Sequence, residues 1–421
     1  MFFYSLFAIR YSLFASYNPI QMLDLLQGIR VISFNHFLLG PMGIQMLADL
    51  GADVISVENP EGAWQRHWSS GNIWHDGQGM LQLCANRNKR SLALDLKGEK
   101  GKDIARRLVA NADIVAENFR PGIMDRLGLG YDELRKRKPA LIYASASGYG
   151  SDGPYAQRPG QDLLAQALFG IMSITGHETP QPVGVSVVDH HAAALLAMGI
   201  LAALVRRERT GKGCRVEASL MQAALDLQAE SLTAWLNAPK RPASVKAPRH
   251  VAGWYYPAPY GVYATRDGHI ALSLSPLAAV AKAIEAPELA AFSDKDTWRR
   301  QDEISGLIAE RFTTKSNEDW CTRLEAARIW HAPVQDYDGI LNDPQVKHMQ
   351  ALVTVHGGGK TQAPVTLVNH PLRYDGESAC IGLPPQRLGA QTRQVLEEFG
   401  FRAAEIAALI DEGVVAVNEE S

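Results

Sequence analysis

The chain has 421 residues, 46% hydrophobic and 21% charged, and carries a net charge of −3. That is the balance of a globular protein with room for two or three domains. It excludes a general polyanion surface, so nucleic acid is not an expected partner and any anion site must be local. Cys84, Cys214, Cys321 and Cys380 form no CxxC pair, which argues against a disulfide framework or a zinc site and for a reducing, cytoplasmic setting.

Residues 1–21 are aromatic, free of acids, and carry Arg10 as their one charge. They lack the basic start and small-residue cleavage site of a signal peptide. A mitochondrial transit peptide is the lesser reading, and a disordered extension before a folded chain from Met22 is the better one. Gly28–Phe34 then reads as a buried strand, Gly40-Pro41 opens a helix to Leu50, Gly51 stops it, and Ala52–Glu58 is the next strand. This βαβ pattern continues with a helix over 98–111, a strand over 114–116, helices over 121–127 and 131–138, and a strand over 141–145. Strands alternating with helices of this length predict a parallel sheet covered on both faces.

Gly148–Gly153 spells GxGxxG after a strand, but Pro154 and Pro159 stand where a helix should open, so the glycines form a turn. Gly184-Val-Ser-Val-Val-Asp189 next hands a β-branched run to a long apolar helix, with one carboxylate at the junction. By location alone an Asp there is an N-cap. Arg209–Glu217 turns into a strand, and a helix starts near Leu220. Residues 237–260 hold Pro239, Pro242, Pro248, Pro257 and Pro259 among Trp254, Tyr255, Tyr256 and Tyr260, which marks a loop or domain boundary. A hairpin follows around Asp267-Gly268, then helices over 276–330, a connection over 337–350, and helices over 388–409.

Gly357–Thr361 resembles the end of a P-loop, but Thr354 stands where its first glycine belongs. His190 and His191 are adjacent, so on a helix they point about 100° apart and make no metal-binding face. Neither a metal nor a permanently bound cofactor is expected. No stretch reaches the length of a membrane span, the apolar 192–205 segment included. The predicted organisation is an α/β large domain begun by residues 22–225, a smaller α+β domain over 226–335, and a linker with a return to the large domain over 336–421.

Several segments in order carry more than any one of them. Leu25-Leu-Gln-Gly-Ile-Arg-Val leads to Gly40-Pro41 and Leu47–Glu58; Asn86-Arg-Asn-Lys-Arg-Ser follows. Then come Ala112–Gly128 with its Glu-Asn-Phe-Arg-Pro-Gly core, Ser147-Gly-Tyr-Gly, Asp162-Leu-Leu-Ala-Gln-Ala, Asp189, and Arg209-Thr-Gly-Lys-Gly. This set resembles the class III CoA-transferases, the family of formyl-CoA transferase and carnitine CoA-transferase, from about Leu25 through Leu225 and less closely to Leu396.

The resemblance implies a Rossmann-like large domain with a parallel sheet, a small domain, and two subunits interlocked as a homodimer. It implies an acyl-CoA:carboxylate CoA-transferase whose substrates are a coenzyme A thioester and a small carboxylic acid. The position matching the family's nucleophile is Asp189, which would attack the thioester and come to carry CoA as an aspartyl thioester. The positions matching its CoA-binding stretches are Lys89, Asn118, Phe119, Arg120 and Arg126, with Arg66 a further cation. Phe119 would stack on adenine while the cations meet phosphates.

Two departures narrow the reading. The family's racemases have a His before the aspartate of the GxDxxxxA segment; here Gln161 stands there, and an amide is no general base. That weighs against an acyl-CoA racemase, and an intact Asp189 weighs against a non-catalytic CoA-binding subunit. Formyl-CoA transferase has a Gln where this chain has Leu38, and a glycine-rich flap where this chain has His250–Tyr260. An apolar or larger acid therefore suits Phe37, Leu38, Trp254 and Tyr255 better than formate or oxalate.

Overall fold

A computed structural model describes residues 23–418, and the extension expected over residues 1–21 lies outside them. The chain divides into two compact units. The first joins residues up to Gln157 with Ala192–Ala218 and everything from His348; the second joins Arg158–His191 with Ser219–Lys347. The boundaries expected at 226 and 335 are thus displaced. Residues 158–191 belong to the second unit because its side chains hold them there. Gln228, for example, donates to the carbonyl of Phe169 at 2.8 Å.

The first unit is built on a sheet whose first six strands in chain order are β1 (Arg30–Phe34), β2 (Asp53–Glu58), β3 (Lys89–Leu94), β4 (Ile114–Glu117), β5 (Ile142–Ser147) and β6 (Arg215–Ser219). They lie side by side as β3-β2-β1-β4-β5-β6. The β1–β2, β2–β3, β1–β4 and β4–β5 pairs are parallel. Strand β3, absent from the sequence reading, is buried at five of its six residues, which is why it shows no alternation of apolar and polar residues. Its outer edge is closed from far along the chain. Val415-Ala416 pairs antiparallel with Leu94-Ala93, and the Gln391 and Thr392 side chains accept from the amides of Ser91 and Ala93.

Helices α1 (Leu39–Asp49) and α2 (Glu99–Ala110) are βαβ crossovers. Ile104 and Leu108 of α2 pack with Ile32, Ile55, Leu92 and Val115 of the strands and with Val395, Leu396 and Phe399 near the C-terminus. Gly357–Thr361 lies in the loop of a hairpin, Leu352–Val355 with Val365–Val368. The Asp76 carboxylate takes the amides of Thr361 and Ala363, which disposes of the P-loop likeness.

In the second unit, Gly261–Ala264 and His269–Leu272 form the expected hairpin, with His331–Pro333 as a third strand. Its core gathers Tyr263, Ile270, Val280, Ile308, Phe312, Trp320 and Leu324. The stretch expected as a connection holds two short helices, Tyr337–Asn342 and Pro344–His348. The earlier residues of the second unit contribute α3 (Asp162–Leu168), the first turn of α4 (Val187–Thr210) and α5 (Leu220–Asp226). Helix α4 has 24 residues and is long and apolar enough to cross a membrane, longer than the 192–205 segment suggested. Within the first unit, however, Ala192, Ala193, Leu196, Ala197 and Ile200 are buried, and Gly43 of α1 approaches so closely that a Cβ there would lie 2.9 Å from the Ala193 carbonyl.

Candidate active site

Chemistry-bearing side chains gather in two places, one within each unit. The first is the crevice at the carboxyl ends of β1 and β4. The strand order reverses between these two, and open α/β sheets bind ligands at that reversal. His36 follows β1 and Asn118 follows β4. The Asn118 carboxamide accepts from the His36 amide at 2.9 Å and donates to the His36 carbonyl at 2.7 Å. Asn118 is therefore a clamp across the crevice, with one donor and one acceptor already used. Burial pushes the His36 imidazole down to about 4, so it is neutral near pH 7. Beside it, burial pushes the Glu117 carboxyl up to about 7, although hydrogen bonds from Ser145 and the Phe119 amide act the other way.

Phe119 is partly buried, its ring 5.5 Å from that of His36. Gly122, at φ 85°, starts the short helix Ile123–Arg126 in a left-handed turn that favours glycine. Arg120 and Arg126 flank this turn, both exposed and without an ion pair among the described residues. On the β1 side, Phe37 stacks on Trp64 at 4.6 Å and Trp64 on Trp68 at 5.1 Å, and both tryptophans are more than two-fifths exposed. The two tryptophans escaped the sequence reading, because their stack on Phe37 joins residues 27 positions apart and leaves no local pattern.

Two expected cations are placed otherwise. The Lys89 ammonium is buried and donates to the carbonyls of Pro41 and Ala85, both at 2.6 Å, and to Asn86 Oδ1 at 3.1 Å. In its charged form its three protons go to these three protein acceptors, and none is left for a phosphate. Burial also pushes it down to about 7. Lys89 thus ties the start of α1 to the start of β3, with its donors turned to the protein where a phosphate contact was expected. Arg66 forms a two-pronged ion pair with Glu58, both contacts 2.6 Å, and donates to the Gln386 carbonyl.

The second place is the first turn of α4. Asp189 is its third residue, so it is not the N-cap that its location suggests. The β-branched run before it forms no strand. The amides of Val188 and Asp189 donate to Asp162 Oδ1 at 2.8 and 3.1 Å, while Asp162 Oδ2 accepts from Gln166 Nε2 at 2.6 Å. The buried Gln166 also takes the Val183 amide at 2.8 Å, fixing the segment that leads into α4. The Asp189 carboxylate makes no hydrogen bond among the described residues and keeps part of its surface accessible. Burial, and secondarily the charge of Asp162, push it up to about 7. Gln161, which precedes Asp162, is exposed. A partly desolvated carboxylate with no partner is equipped to attack an electrophile.

Comparison with known proteins converges on one family. The model of CoA-transferase family III matches residues 26–392. The human succinyl-CoA:glutarate CoA-transferase is 30% identical over 406 residues, 94% of this chain and 90% of that protein. The acetyl-CoA:oxalate CoA-transferase of Acetobacter aceti is 33% identical, over 83% of this chain and 89% of that one. Among solved structures, a CAIB/BAIF family protein from Brucella suis superposes with a TM-score of 0.77 at 30% identity, covering 89% of this chain and 99% of that one.

Proposed function

Since the chain belongs to CoA-transferase family III and is an acyl-CoA:carboxylate CoA-transferase, we propose that it works through a covalent aspartyl-CoA thioester on Asp189. The observation that carries this is the part-buried Asp189 carboxylate in the matched motif, which accepts no hydrogen bond among the described residues. One Asp189 oxygen attacks the donor thioester carbonyl. The C–S bond breaks, leaving a mixed anhydride and CoA thiolate. The thiolate attacks the Asp189 carbonyl carbon, which releases the donor acid and forms the aspartyl thioester. The acceptor carboxylate repeats the sequence in reverse. Each step exchanges one acyl oxygen or sulfur for another, so the thioester's free energy is kept without ATP.

Arg120 and Arg126 serve CoA phosphates as charge-assisted donors, and Phe119 offers its ring to the adenine. The Phe37–Trp64–Trp68 stack favours an acceptor larger than formate. Relatives named for glutarate and mesaconate make C4 to C6 dicarboxylates the first acids to try. The subunits pair as an interlocked homodimer, a reading supported by Leu163, Leu164 and Leu168 of α3, each at least 43% exposed; sedimentation at micromolar concentration tests it.

The deciding experiment supplies succinyl-, acetyl- and longer acyl-CoA donors against a panel of mono- and dicarboxylic acids and reads the new CoA thioesters by mass spectrometry. New thioesters, with a CoA adduct on the Asp189 peptide, are the expected result. Deuterium entering the α-position of a 2-methylacyl-CoA in heavy water, with no transfer to any acid, would instead assign a racemase.

A further inference from the structure

The unusual element is what lies beneath Asp189. A helix N-terminus leaves backbone N–H groups free and carries roughly half a positive charge, which together stabilise a nearby carboxylate and blunt it as a nucleophile. In α4 two of those groups, on Val188 and Asp189 itself, are given to a carboxylate from another helix, Asp162 of α3. Asp162 is held in turn by Gln166, one helical turn along, whose other end accepts the Val183 amide.

We propose that Asp162 is a positioning residue for the nucleophile: it takes the helix-terminal donors that would otherwise cap Asp189, and sets its own negative charge against the one that reacts. The inference rests on Asp189 being the nucleophile. Two like charges held close raise the free energy of the ionised Asp189. Acylation turns Asp189 into a neutral anhydride or thioester, so the repulsion is present before attack and gone after it. Asp162 thereby favours the covalent intermediate without touching substrate. A more basic carboxylate is also a better nucleophile once ionised, and Asp162 moves Asp189 in that direction.

Of the two histidines on this turn, His191 is occupied elsewhere. His191 Nε2 pairs with Asp226 Oδ2 of α5 at 2.7 Å. His190 is held toward its neutral form by burial, which Asp162 opposes. His177 contacts the Ala247 carbonyl. Burial raises Asp189 most, and among the described residues Asp162 is the charge that adds to it.

Asp162→Asn keeps an oxygen for the two amides and removes the charge. Gln166→Leu removes the brace and keeps the charge. Infrared pH-difference spectra, with Asp189→Asn identifying the carboxyl band, follow Asp189 directly in each folded variant and need no turnover. The band should titrate near neutrality in the native protein and in Gln166→Leu, and at least about one pH unit lower in Asp162→Asn. With the best donor and acid from the transfer panel, Asp162→Asn should lower kcat while leaving KM for the acyl-CoA unchanged. A folded Asp162→Asn protein whose Asp189 midpoint stays in place, or a Gln166→Leu protein whose midpoint falls as far, overturns the proposal. Failure of transfer with every acid would overturn the transferase reading and leave the infrared result standing.

Discussion

The surroundings of Lys89 and of Asp189 are both made from motif residues, and they are built in opposite ways. Around Lys89 the charged groups are bonded to the protein. Its three protons go to three protein oxygens, and nearby Arg87 holds Asp49 through two nitrogens while His370 Nδ1 lies 3.2 Å from the same carboxylate. At the start of α4 the neighbour is saturated and the motif residue is not. Asp162 takes three hydrogen bonds, and the Asp189 carboxylate takes none among the described residues. A buried ion with all its bonds made holds a fold together, because breaking any bond strands a charge. A partly buried ion with none holds free energy that a reaction can release. Bond saturation, rather than membership of a motif, separates the two roles.

That contrast is most exposed to Asp189→Ala, which should lower transfer by at least about 10⁴-fold while the thermal unfolding curve remains cooperative; turnover near the native rate would remove Asp189 from the chemistry. Lys89→Ala should act on the fold, lowering stability by about 2–4 kcal/mol in a denaturant titration. A raised KM for acyl-CoA at unchanged stability would put Lys89 back on a phosphate. Arg126→Ala tests the other side, an exposed cation without an ion pair among the described residues. It should raise KM for acyl-CoA by the loss of a charge-assisted contact, about 1.5–3 kcal/mol, with stability and KM for the acid little changed.

The smallest effect is a pH-dependent one. Asp189 binds its proton more tightly folded than unfolded, so ionising it costs stability as pH rises from the ordinary Asp value of about 4 toward about 7. Asp189→Asn should therefore be more stable than the native protein at pH 8, by roughly 1–2 kcal/mol given the partial solvation of the carboxylate. The gain should close as the pH falls to about 4. A stability difference that does not change with pH would mean that Asp189 has an ordinary proton affinity.

Much of the first unit could be read from the chain because its signals are local. The crossover through α1 is bracketed by Gly40-Pro41 and Gly51, and the 98–111 pattern marks α2 within a residue. What escaped depends on distance or on doubled burial. Strand β3 begins with charged Lys89 and Arg90, whose ammonium and guanidinium find partners at Pro41, Asp53 and Glu398. Nothing local marks those as inward-facing. Asp189 was found as a motif position, but the carboxylate that takes its amide, Asp162, stands 27 residues earlier. The protein contacts of Lys89 were not foreseen, because a lysine in a matched stretch looks the same in sequence whether it faces a ligand or the oxygens of Pro41, Ala85 and Asn86.

The strand Val415-Ala416 carries a consequence for how the molecule is made. It and the Gln391-Thr392 side chains cover the outer edge of β3, and 300 residues separate Ser91 from Gln391. At about 5–20 residues per second, a ribosome needs roughly 15–60 s to add the chain between them. Through that interval the nascent sheet exposes a bare edge able to pair with a neighbouring chain. Val395, Leu396 and Phe399, which complete the apolar layer on α2, arrive at the same late stage. The growing polypeptide must therefore be shielded until its last segment emerges, and premature termination before residue 391 would release an aggregation-prone product.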